Sequence, residues 1–157
     1  MKKIIILAVF FVSLCEAATD YTRIPSDTLV AFVQRNYFSH GQQTERAIRE
    51  LYSRAQATGN TYLLAQCVYL DALAEYSQNN GCGRFSTCID SLLLDSEMMR
   101  DAGNRLLLNY AKALTELSSG NFTVAFRYAL DAYHLAEEIG DIGLLVETAI
   151  SLGNISP

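Results

Sequence analysis

Apolar and small residues recur through most of this chain at intervals of three, four and seven, the spacing that lines up side chains on one face of a helix. Cys88, Leu92 and Met99 form one such set, and Ala125, Ala129 and Ala132 another. The Val, Ile and Tyr residues follow the same rhythm, and no strand alternation competes with it. The pattern predicts helices over 27–39, 44–58, 61–78, 86–102, 105–118, 122–139 and 142–155. Ser26 and Asp27, after Pro25, are expected to cap the first, and Thr44 with Glu45 the second.

Three junctions between these helices share a pattern. Ala55-Gln56-Ala57-Thr58-Gly59-Asn60 leads to Leu63-Leu64, Met99-Arg100-Asp101-Ala102-Gly103-Asn104 to Leu107-Leu108, and Ala136-Glu137-Glu138-Ile139-Gly140-Asp141 to Leu144-Leu145. The glycines stand 44 and 37 residues apart, a spacing found in stacked helical repeats. Each Gly is expected to end a helix in the left-handed conformation, and the Asn or Asp after it to cap the next through its side-chain oxygen. A second kind of turn, Gly83-Arg84-Phe85 and Gly120-Asn121-Phe122, opens the helices that carry the small residues. Small side chains there let two helices approach to about 8 Å.

The stretches Phe122-Thr123-Val124-Ala125 and Ala132-Tyr133-His134-Leu135-Ala136-Glu137-Glu138-Ile139-Gly140-Asp141, with Leu152-Gly153-Asn154 as the start of a further unit, resemble the tetratricopeptide repeat family in its variant of about 40 residues. The likeness covers residues 43–157 and is weakest before residue 60. The family's small first-helix residue appears as Ala113 and Gly153, with Ala74 as its counterpart across an insertion at 79–83. Ser77 and Glu116 stand where the family often has Tyr. The resemblance implies an all-α fold, a right-handed solenoid of antiparallel helical hairpins with about seven helices. Residues 141–155 read as the first helix of a repeat whose second helix would lie past Pro157, so an incomplete array is expected. The apolar face of 142–155 is then expected to self-associate or to receive a following segment.

The first residues follow another pattern. Lys2 and Lys3 precede an apolar run from Ile4 to Leu14, and Ala17 and Ala18 follow it, the order of a secretory signal. Eleven residues are too few for a membrane span of about 20. Cleavage is expected after Ala17, which divides the chain into a signal at 1–17, an extension at 18–26 and a repeat domain at 27–157. Val12-Ser13-Leu14-Cys15 offers a rival reading, lipidation at Cys15, although Leu14 stands where a bacterial lipobox has a small residue.

Half of the 157 residues are hydrophobic and 18% are charged, with a net charge of −5, which loss of Lys2, Lys3 and Glu16 takes to −6. Such a chain can bury a core and has no electrostatic attraction for nucleic acid. Lys112 is the one lysine after the signal. His40 and His134 have no second histidine near them in sequence, so neither a metal site nor a cofactor is expected. No set of nucleophile, base and stabiliser stands out, and no enzyme activity is expected. Cys67 reads as core. Cys82 and Cys88 either close a disulfide over the long turn or, with Cys88 in a small interhelical position, stay as thiols. Tyr62, Tyr69 and Tyr76 recur every seven residues as a packing stripe with hydroxyls at its rim.

In the resembled family the first helices of the hairpins line a concave groove that binds peptides or helices of partner proteins. Carried over by position, the groove residues are Asp71 and Glu75, Tyr110 and Leu114, and Ile150 and Asn154. The expectation is an exported protein-binding scaffold, periplasmic or tethered to the outer membrane of a Gram-negative bacterium, similar to the sensory part of bacterial signalling regulators. The alternative is a helical accessory domain of a larger exported hydrolase.

Overall fold

A computed structural model describes residues 20–39, 41–78 and 86–155. Seven α-helices and no strand occur among these residues: α1 Ser26–Asn36, α2 Gln42–Thr58, α3 Thr61–Ser77, α4 Ser86–Leu94, α5 Ala102–Ser118, α6 Phe122–Ile139 and α7 Ile142–Ile155. Short 3-10 turns occupy Tyr21–Arg23, Tyr37–Ser39 and Met98–Arg100. The all-helical class expected from the sequence is the class observed. No described helix is long and apolar enough to cross a membrane.

Two of the three anticipated junctions form as their residues dictate. Gly59 and Gly140 take φ of 65° and 79°, where a side chain would be strained, and their N–H groups return to carbonyls of the helix they end. Asn60 Oδ1 then accepts the Leu63 N–H at 2.9 Å, and Asp141 Oδ1 that of Leu144 at 3.0 Å. Stop and start thus fall on adjacent residues, satisfying backbone groups that helix ends leave open.

The third junction corrects the expectation. Gly103 and Asn104 lie inside the first turn of α5, and Asp101 is the cap, its Oδ1 accepting the Asn104 N–H at 2.9 Å. The expected helix over 86–102 stops at Leu94. Asp95 Oδ1 accepts the N–H groups of Glu97 and Met98 at 2.8 and 3.2 Å, turning the chain into the 3-10 segment that Met98 anchors in the core. Two aspartates offer the backbone local acceptors that helix continuation cannot match. Asn104 is displaced from its expected capping role into the core, and neither polar atom of its side chain finds a hydrogen-bond partner among the described residues.

The N-terminal caps also differ. Ser26 is already helical behind Pro25, and α2 begins at Gln42 behind Gly41, neither start having a side-chain cap. Thr44 is buried on the same face as Ala47, Ile48, Leu51 and Ala55, and burial of that face carries the helix back past it. The first helix ends at Asn36, short of the expected 39.

The core centres on α3. From Cys67 to Ala74 every residue is buried, so this helix is enclosed on all sides instead of showing one apolar stripe. It packs against α2 and α5 and beneath the Tyr37–Ser39 turn. Elsewhere contacts run between α1 and α2, α4 and α5, α5 and α6, and α6 and α7. Ala125, Ala129, Ala132 and Ala136 are fully buried along α6, which the missing side-chain bulk allows. At the N-terminal side, Arg54 fastens residues 21–26 to α2. Its Nε pairs with Glu50 at 2.8 Å, Nη1 donates to Ile24 O at 2.6 Å, and Nη2 donates to Tyr21 O at 2.8 Å and Thr22 O at 3.0 Å.

Candidate functional site

A ring stack and three hydrogen bonds link the helices α3, α5 and α7 as a ladder. Tyr69 of α3 stacks on Tyr110 of α5 with centroids 5.7 Å apart and ring planes at 27°. The Tyr69 hydroxyl donates to Glu147 Oε2 of α7 at 2.7 Å. The Tyr110 hydroxyl lies 2.9 Å from Ser151 Oγ and donates to the Glu147 carbonyl at 3.2 Å. Ring faces supply buried apolar area, and each hydroxyl is satisfied by a neighbouring helix, the arrangement in which a buried tyrosine is stable.

Burial and the Glu147 charge push the Tyr69 phenol well above its ordinary range. The Tyr110 phenol is pushed up to about 12, by burial first, with the Ser151 hydrogen bond working against the rise and the Glu147 charge adding to it. Both phenols are therefore protonated donors at neutral pH. The ladder positions helices and gives neither tyrosine nucleophilic character.

This arrangement determines where the expected groove residues lie. Tyr110 and Leu114 are 3% and 1% exposed, and Asp71 is 4% exposed. Glu75 is half-buried. Solvent reaches Ile150, 60% exposed, and Asn154. Buried groups can touch a partner only after rearrangement, so among the six residues direct contact is open chiefly to the two on α7. The tyrosine stripe of α3 runs from exposed Tyr62 through buried Tyr69 to half-buried Tyr76. Its position was legible from the seven-residue spacing. Glu147 and Ser151 were missed, although a lone carboxylate in the apolar run 142–155 was a signal for an acceptor facing a buried donor.

A second polar link holds α4. Lys112 Nζ of α5 lies 2.8 Å from Asp90 Oδ1 of α4 and 2.8 Å from Glu116 Oε1. Burial opposes the Lys112 charge, and the hydrogen bonds to Asp90 and Glu116 outweigh it, so its pKa is raised. The Lys112 hydrogen bond, against the effect of burial, lowers that of Glu116, whose other oxygen accepts from Asn121 at 2.7 Å.

Cys67 is a fully buried thiol with its pKa pushed up to about 12, by burial first and then by the Asp71 charge, so it is poorly reactive. Cys88 is half-buried in α4, and burial raises its pKa as well. Cys82, the other half of the expected disulfide, lies outside the described residues, as do Cys15, His40 and the signal segment. His134 is exposed, with Nδ1 3.9 Å from Glu137. Among the described residues no group of three or more His, Cys, Asp or Glu is placed to hold a metal ion. A scan of protein-family models finds no match to this chain, and searches of curated proteins and of solved structures find none either.

Proposed function

We propose that the chain is a tetratricopeptide-like solenoid, exported from a bacterial cytoplasm, that holds a peptide or protein partner on the side formed by α3, α5 and α7. The observation carrying this reading is the ladder of Tyr69, Tyr110, Glu147 and Ser151. It links α3, α5 and α7, which on the repeat reading are the first helices of three successive units, and linked first helices are what a solenoid would need to present a continuous binding surface. The repeated Gly59-Asn60 and Gly140-Asp141 junctions support the same arrangement. Ile150 and Asn154 extend from this side into solvent as an apolar and a polar contact.

In the setting that the resemblance implies, the scaffold is the sensory part of a bacterial regulator. A photo-crosslinking residue placed at Asn154 should give a discrete adduct in the native host, whereas one at Glu138, exposed near the end of α6, should give none. Equal labelling at both positions, or none at Asn154, would reject binding on this side.

A further inference from the structure

Ile142, Val146, Ala149 and Gly153 lie along one line of α7, because steps of four, three and four residues return to the same side of a helix. All four are exposed, Ile142 at 69% and Val146 at 52%, and a Cβ at Gly153 would have no neighbour within 4 Å. None is charged. The line is distinct from the ladder side, where Glu147 and Ser151 face α3 and α5. Thirty-seven residues earlier, the counterparts on α5 are Arg105, Asn109, Lys112 and Glu116. They are polar, yet each is buried or half-buried. The covered face thus carries polar residues and the open face apolar ones, the reverse of what solvent selects.

We infer that this line is an interface with a second copy of the same chain, the two α7 helices running antiparallel about a twofold axis between Glu147 and Thr148. About that axis Ile142 meets Gly153 of the second copy, and Val146 meets its Ala149. Each large side chain falls against a small one, twice over, as an isologous contact requires. A parallel pair would set Ile142 on Ile142 and leave a gap at the glycines. The self-match of sizes around one axis is what selects a second copy over an unrelated helix. The Glu147 carboxylate, level with the axis, is turned away to Tyr69 on the ladder side, so no charged side chain stands in the line itself. The line is about 17 Å long at 1.5 Å per residue. One helix face of that length offers less than the roughly 800 Å² per partner of a standard interface, so the dimer depends on concentration.

Sedimentation equilibrium from micromolar to millimolar concentration, on the chain as the cell processes it, tests the inference. The wild type should pass from monomer to dimer, and I142K should weaken association by about tenfold or more. I142K/G153E should recover most of the loss, because antiparallel pairing alone brings the introduced ammonium against the introduced carboxylate of the second copy. Circular dichroism reports folding. If I142K fails to fold, V146K and V146K/A149E apply the same test nearer the axis. A wild type that stays monomeric throughout, whether the line is left bare or is covered by another segment or partner, overturns the inference. So does a dimer indifferent to I142K, or a double variant no better than the single one.

Discussion

Two helices of this chain follow the same Gly-X-Phe sequence and end differently. Both are introduced by Gly-X-Phe, at Gly83 and Gly120, and 37 residues relate Cys88 to Ala125, Leu92 to Ala129, Asp95 to Ala132 and Met99 to Ala136. α6 runs 18 residues to Gly140 with its four alanines fully buried. α4 runs nine residues and stops one short of Asp95. The difference lies in two side chains. Leu92 puts a bulky side chain against the core where α6 has the fully buried Ala129, and Asp95 carries a carboxylate where Ala132 meets the core. Asp95 instead turns outward and bonds the next backbone N–H groups, so the helix ends where its packing would have failed. Continuing a helix therefore depended less on helix propensity than on what each turn must bury.

The strongest way to break this comparison is to give α6 the residue that stops α4. Ala132→Asp would place a carboxylate at a site with no exposure, costing about 3 kcal/mol or more. Thermal melting should show loss of most of the stability of the α5–α7 region. A variant melting within a degree or two of wild type would mean that α6 tolerates what α4 does not.

The α3–α5–α7 side is further distinguished by its response to alkali. The folded-state pKa values of Tyr69 and Tyr110 lie above the unfolded value of about 10. Their stabilisation is intact below pH 10 and is lost as the pH climbs through the folded values, about 12 for Tyr110. Tyrosinate absorbance should therefore rise in two stages, exposed phenols first and the ladder together with unfolding. Tyr69→Phe should move unfolding to higher pH, at some loss of stability near neutrality. A single smooth titration with the helices intact would contradict the buried ladder.

A smaller effect is expected for Ala129→Leu, which copies the bulk of Leu92 into α6 and should cost about 1 to 3 kcal/mol by overpacking. Denaturant unfolding measures it, and an unchanged midpoint would show that the face around Ala129 has room. Smallest is Lys112→Met, which removes the link to Asp90, an acceptor that is itself 67% exposed. A loss of about 1 kcal/mol is expected, with faster hydrogen exchange in α4 and little change in α6. Equal acceleration in both helices would mean that the lysine does not hold α4 in particular.

Helix number, the Gly59 and Gly140 junctions and the buried alanine face were all legible in the sequence, since each rests on local spacing or on one residue's backbone freedom. The Gly103 junction was misread because its residues match the repeat pattern as well as the other two do. The contest was between Asp101 and Asn104 as cap, and three-dimensional packing decided it by burying Asn104. Glu147 as the ladder's acceptor is a contact across 78 residues of sequence, which no periodicity reveals. The burial of Asp71, Tyr110 and Leu114 has the same origin. A positional match places residues on a helix but does not tell how closely the neighbouring helices stand.

Residue-resolved amide hydrogen exchange at neutral pH tests the contrast between α4 and α6 most directly. Protection should run unbroken through the hydrogen-bonded turns of α6, fall between Asp95 and Asp101, where Glu97 to Arg100 hold only isolated turn and cap bonds, and recover with Arg105, whose amide bonds to the Asp101 carbonyl at 3.1 Å. Unbroken protection from Ile89 to Ala102, with a lapse at Gly103 and Asn104 instead, would show that the chain follows its repeat pattern and that the shortened α4 is wrong.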